Sequence, residues 1–186
     1  MQFKTLAYLS ILSILVLTGC DSKTENESSN KTEIKKEVAQ KTNFILKTTD
    51  NLDLNVKVDG DKIIFSDYPE KIVLLNFFAT WCPPCKAEIP NLIELEKKHG
   101  NDLKVVSVLL EEGKTNEDII EFINKYNINY AVVNGKQNFL LSDALGGIKS
   151  IPTMFLVDKE SNIFQKYVGI VPVEMMEIDI QKLLEK

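Results

Sequence analysis

Residues 72–90 read Ile-Val-Leu-Leu-Asn-Phe-Phe-Ala-Thr-Trp-Cys-Pro-Pro-Cys-Lys-Ala-Glu-Ile-Pro. The first eight are apolar except for Asn76, the pattern of a strand covered on both faces of a sheet. Helical spacing follows over 85–98, with Ile89, Leu92, Ile93 and Leu95 on one side. Cys82 and Cys85 therefore sit where a buried strand turns into a helix. A helix N-terminus offers unpaired N–H groups and the positive end of its dipole, and both favour thiolate. Cys82, at the extreme end, gains most and is expected to be the exposed nucleophile. Cys85, one turn in, is expected to be more buried and to act second. Pro83 and Pro84 restrict the loop after Trp81, and Pro84 suits a helix start because its missing N–H would be unpaired anyway. Such a pair exchanges thiols for disulfides through a mixed disulfide, in either direction. A zinc half-site is the first alternative, but zinc needs four ligands and no second pair exists. The one histidine, His99, falls at the end of the same helix, where a surface position without catalytic function is expected. A purely structural disulfide is the second, and two prolines enclosed by cysteines after Trp81 argue against it.

Outward from this stretch, strands alternate with helices. Residues 44–47 and 52–58 alternate apolar and polar side chains as half-buried strands do, and 62–65 add a short edge piece. Strands are predicted at 103–110, 130–133, 153–158 and 163–168, the last two joined by a polar turn at 159–162. Helices are predicted at 116–126, 138–145 and 172–185, the last with Pro172 in its first turn. This order predicts an α/β fold with a central mixed β-sheet flanked by helices and an N-terminal β-hairpin.

The chain has 186 residues, enough for one ordinary domain, and 22 basic against 27 acidic side chains, for a net charge of −5. Every basic residue is lysine, and no basic stripe with interleaved aromatics occurs, so nucleic acid is not an expected partner. Three cysteines are too few for a disulfide scaffold, and the odd one is Cys20. It follows Lys4, an apolar run over 6–17 and Leu17-Thr18-Gly19. That arrangement resembles the lipobox of bacterial lipoproteins, which implies lipidation of the Cys20 thiol and removal of residues 1–19. Residues 21–43 hold only three apolar side chains, too few to offset chain entropy. The expected organisation is a signal at 1–19, a lipidated N-terminus and linker at 20–43, and one folded domain at 44–186.

The motif and its flanks resemble the thioredoxin superfamily, and more narrowly the membrane-tethered extracytoplasmic thioredoxins of the TlpA/ResA type. A second mark is Gly147-Ile148-Lys149-Ser150-Ile151-Pro152-Thr153 ahead of an apolar strand. The resemblance implies a thioredoxin-like fold in which Pro152 is cis and lies against the two cysteines. Ile151 would then offer main-chain groups to an extended substrate. Pro90 matches the proline inside the active-site helix of thioredoxins. Cytosolic thioredoxins carry a buried aspartate where this chain has Asn76, a departure shared with the TlpA/ResA type. That type carries a glutamate three residues after the second cysteine, which Glu88 matches. Positions 85 and 88 share a helix face, so Glu88 is read as modulating Cys85 or relaying its proton, against the alternative of an exposed helical glutamate. The segment between the strands at 103–110 and 130–133, including the helix at 116–126, resembles the insertion typical of the TlpA/ResA type. Glu111 and Glu112, after the first of those strands, are read as a solvated turn, against the alternative that they line the site.

The leading expectation is a lipid-anchored protein-disulfide reductase on the cell membrane, facing the periplasm or cell exterior. The resemblance implies exported disulfide-bearing substrates, apocytochrome c in several relatives, and a membrane thiol electron donor. A monomer is expected, with no metal and no cofactor beyond the redox-active Cys82–Cys85 pair. One rival is an oxidase of the DsbA kind, whose large helical insertion and intervening histidine are not seen. A peroxiredoxin would carry a Thr-x-x-Cys pattern, which is absent. A copper chaperone is the rival from another class, using the cysteine pair as soft ligands.

Overall fold

The computed structural model describes residues 42–185, so the signal at 1–19, Cys20 and nearly all of the linker at 20–43 lie outside the described residues. Two β-sheets organise the rest. Strands β1 (Asn43–Lys47), β2 (Asp53–Asp59) and β3 (Lys62–Phe65) pair antiparallel in that order. The main sheet has the order β6-β5-β4-β7-β8, from β4 (Ile72–Phe78), β5 (Leu103–Leu109), β6 (Ala131–Val133), β7 (Thr153–Val157) and β8 (Ile163–Val168). Strands β4, β5 and β6 run parallel, β7 is antiparallel to β4, and β8 is antiparallel to β7.

All seven residues of β4 are buried because its two faces meet different layers. Ile72, Leu74 and Phe78 face a core shared with helices α1 (Pro83–His99), α2 (Asn116–Tyr126) and α4 (Val173–Leu184). Val73, Leu75 and Phe77 face the other way, onto Phe44, Leu46, Val56 and Ile63 of the small sheet and Leu141 of α3 (Gln137–Ala144). A continuous apolar run is what such a position demands, because no side chain of the strand reaches water.

The expected N-terminal hairpin and the short edge piece at 62–65 together form the three-stranded sheet. Gly60 turns the chain at a φ of +60°, a region that favours glycine, and Lys62–Phe65 folds straight back along β2. Helix α1 starts two residues earlier than the apolar spacing suggested. Cys82 caps it, and the two prolines occupy its first positions, where no N–H is needed. Helix α2 keeps its predicted bounds, with a capping box between Thr115 and Asp118.

His99 departs from the expectation of a surface residue. It is 9% exposed, and its Nε2 lies 2.9 Å from Glu177 Oε2 on α4. Glu177 also accepts a 3.0 Å bond from Lys98 Nζ, so one carboxylate ties the end of α1 to α4. Burial pushes the Glu177 carboxyl up, but hydrogen bonds from Lys98 and His99 outweigh it and hold the group below its usual value of 4.5. A depressed folded-state value means that this contribution is complete above the unfolded value and is lost as pH falls through the folded one. Thermal unfolding of wild type and Glu177→Gln should therefore differ most near neutrality and converge as pH falls through the depressed value of the Glu177 carboxyl. A constant gap down to pH 3 would contradict the assignment.

Candidate active site

Strand β4 ends at Phe78, and the chain crosses a short turn to Cys82. Cys82 has extended geometry (φ −78°, ψ 112°), and its Sγ accepts the backbone N–H of Cys85 at 3.2 Å. The first free N–H of the helix is thus aimed at the sulfur expected to carry negative charge. Cys82 and Cys85 are joined as a disulfide with Cα atoms 5.3 Å apart.

Cys82 is not exposed in this disulfide form. It is 3% accessible and Cys85 4%, so the expected contrast between them is absent. The cover comes from the segment before β7, whose Ile151 carbonyl oxygen lies 3.8 Å from Cys82 Sγ. The Ile151–Pro152 peptide bond is cis. That segment is pinned by Thr153 Oγ1 donating to the Ser150 carbonyl (2.7 Å) and by Gly169 N donating to the Pro152 carbonyl (2.8 Å). Around the buried pair, Pro83 and Pro84 are exposed and Trp81 is 63% exposed, forming an apolar rim.

Glu88 is 1% exposed, which excludes the solvated alternative. Its Oε2 accepts from Val171 N and its Oε1 from Asn91 Nδ2, both at 3.2 Å. Asn76 is buried on the face of β4 that carries the cysteine-side core, and its Nδ2 donates to Ser107 Oγ at 2.9 Å. Its Oδ1 has no partner among the described residues. Tyr130, buried in the same core, hydrogen-bonds Ser107. Burial raises its phenol strongly, the Ser107 bond opposes this, and the nearby Glu88 carboxylate raises it further. Tyr130 therefore stays protonated and keeps a donor beside Glu88. Sequence reasoning did not reach Ser107 or Tyr130. Ser107 carried a signal, a lone hydroxyl inside an apolar strand, whereas Tyr130 reads as an ordinary core aromatic.

Glu111 is also not a solvated turn residue. Its carboxylate is bound to Thr80, two positions before Cys82, whereas Glu112 is exposed as expected. Among the described residues, no three His, Cys, Asp or Glu side chains are grouped as ligands for a metal ion.

A disulfide between a helix-capping cysteine and its partner one turn on, faced by a cis-proline segment in a thioredoxin-like fold, defines a thiol–disulfide oxidoreductase. The chain belongs to the AhpC/TSA family, whose model matches residues 31–166. It is similar to thiol-disulfide oxidoreductase ResA of Geobacillus kaustophilus, 32% identical over 129 residues that cover 68% of each chain. ResA of Bacillus cereus strain ATCC 10987 is 28% identical over 174 residues, covering 93% of this chain and 94% of the relative. The solved structure of StoA from Bacillus subtilis superposes with a TM-score of 0.58 at 25% identity, covering 76% of this chain and 98% of that one. The fold and the enzymatic class expected from the sequence both hold.

Proposed function

We propose that the protein is a lipid-anchored reductant of disulfides in exported proteins. The observation that carries the reading is the 3.2 Å contact from the Cys85 N–H to Cys82 Sγ, which prepares that sulfur to carry charge. In the dithiol form, the Cys82 thiolate attacks one sulfur of a substrate disulfide and expels the other as thiolate, which takes up a proton. Cys85 then loses its proton and attacks Cys82 Sγ. The mixed disulfide breaks, the second substrate sulfur leaves as thiolate, and the Cys82–Cys85 disulfide returns. Two electrons pass to the substrate, the proton given up by Cys85 and one from solvent protonate its two thiolates, and a membrane thiol donor restores the dithiol.

Glu88 is the group placed to accept the proton from Cys85. Ile151 and Pro152 form the docking edge for an extended substrate, with Trp81, Pro83, Pro84 and Asn76 as support. No cofactor beyond the cysteine pair is invoked. Reduction rather than oxidation rests on the resemblance of the motif to the TlpA/ResA type and on the absence of a DsbA-like intervening histidine. Apocytochrome c is the proposed substrate class on resemblance alone, and the monomer the proposed working form.

The anchor rests on Leu17-Thr18-Gly19-Cys20 after an apolar run. Acylation there would place the protein on the membrane, facing the periplasm or cell exterior. Cells grown with labelled palmitate should incorporate label into the wild-type chain and none into Cys20→Ala, and label retained in that variant would refute the anchor. Trapping partners in vivo with Cys85→Ser tests the rest of the reading. Capture of exported proteins through Cys82 supports it, and capture of cytoplasmic proteins alone would overturn it.

A further inference from the structure

Strand β4 gives out at Phe78 and α1 does not begin until Pro83. The residues between belong to neither hydrogen-bonded lattice, and the two prolines that follow contribute no N–H. Something else must hold this turn. Leu110 N donates to the Phe78 carbonyl at 2.8 Å, carrying the β4–β5 pairing one residue further and bringing Glu111 alongside Thr80. There a single oxygen, Glu111 Oε2, accepts from both Thr80 N (2.9 Å) and Thr80 Oγ1 (2.7 Å). The other carboxylate oxygen lies 3.5 Å from Lys114 Nζ, and the Glu111 side chain is mostly buried.

We infer that Glu111 is a positioning residue for disulfide exchange: its carboxylate clamps Thr80 and so fixes Trp81 and Cys82 at the mouth of α1 once the disulfide opens. In the disulfide form, Cys82 is tied to the helix covalently, and the clamp is partly redundant. In the dithiol form that tie is gone. Cys82 then keeps its N–H to the Ala79 carbonyl (3.2 Å), its carbonyl to Lys86 N (3.2 Å) and its sulfur contact to Cys85 N. The first of these is only as firm as the turn itself, and the turn is held by Thr80. The clamp therefore matters most in the form that attacks. Lys114 offsets the charge of Glu111, so the carboxylate acts mainly as a doubly engaged acceptor. The inference rests on exchange chemistry and not on the identity or direction of any physiological substrate.

The single tryptophan of the chain, Trp81, lies inside the clamped turn, so its emission reports on this segment alone. Three quantities test the inference on the purified protein: the rate of exchange with a small disulfide, the equilibrium with glutathione, and the redox-linked change in Trp81 emission. Glu111→Ala removes both bonds to a charged acceptor, and exchange should slow about tenfold. The glutathione equilibrium should shift several-fold toward the disulfide, and the emission change should shrink. Glu111→Gln keeps an oxygen for Thr80 while removing the charge, and should remain within about threefold of wild type. Thr80→Val removes the hydroxyl donor only and should fall between them, which keeps the test decisive if Glu111→Ala does not fold. A Glu111→Ala protein matching wild type in rate and equilibrium would overturn the inference. So would a Gln variant as slow as the Ala variant, because charge rather than position would then be the operative property.

Discussion

Replacing Cys82 with serine should abolish disulfide exchange, lowering the rate by at least about 1,000-fold, while Cys85→Ser should retain the first attack and stall as a mixed disulfide. The two outcomes differ because the sulfurs differ in place rather than in burial. Cys82 caps α1 and receives the Cys85 N–H, so charge on its sulfur meets a donor already in position. A helix N-terminus stabilises an anion by roughly 0.3–1 kcal/mol, and by up to ~2 kcal/mol in a partly buried setting. Serine in the same position stays a neutral hydroxyl near pH 7 and cannot exchange with a disulfide. Cys85 lies one turn in, within reach of Cys82 and beside Glu88, suited to resolve rather than to initiate. Insulin reduction measures the first claim, and non-reducing electrophoresis of Cys85→Ser after mixing with a disulfide substrate measures the second. Full activity in the Cys82 variant, or a mixed disulfide accumulating in that variant rather than the other, would overturn the order of attack.

The main sheet and its redox turn were legible because their signals are local. An apolar run broken by Trp-Cys-Pro-Pro-Cys and followed by helical spacing specifies strand, turn and helix without reference to the rest of the chain. Helix α2 was legible for the same reason, through Ile119, Ile120, Phe122 and Ile123. What escaped depends on partners distant in sequence. His99 is buried by α4, whose Glu177 lies 78 residues away. Glu111 looks like any glutamate after a strand until Thr80, 31 residues earlier, is seen against it. Burial of Cys82 escaped because helix-end reasoning describes one element. The segment that covers the sulfur enters through Ile151, 69 residues on.

Glu88→Gln should slow resolution of the mixed disulfide by about 100-fold, the lower end of what a positioned acid or base contributes, while leaving the first attack by Cys82 within a few-fold of wild type. A carboxylate that is 1% exposed is costly to keep unless its oxygens are engaged, and Val171 N and Asn91 Nδ2 engage one each. Glu88 follows Cys85 by three residues on α1, about one turn from the residue whose sulfur must lose a proton before it can attack. Tyr130 adds a protonated phenol on the same side. Glutamine preserves the size of the side chain and an acceptor for Val171 N, so packing and the tie to the β8–α4 loop survive, and thermal unfolding should change little. It removes the capacity to take up a proton, together with one acceptor oxygen, the one facing Asn91 Nδ2. Stopped-flow decay of a preformed mixed disulfide, followed by Trp81 emission across pH, separates the two roles. If Glu88 carries the proton, the Gln variant is slow in this step while its first attack on a disulfide is kept. A Gln variant that resolves as fast as wild type at every pH would leave Glu88 as a structural tie between α1 and Val171, with Cys85 deprotonated by another route.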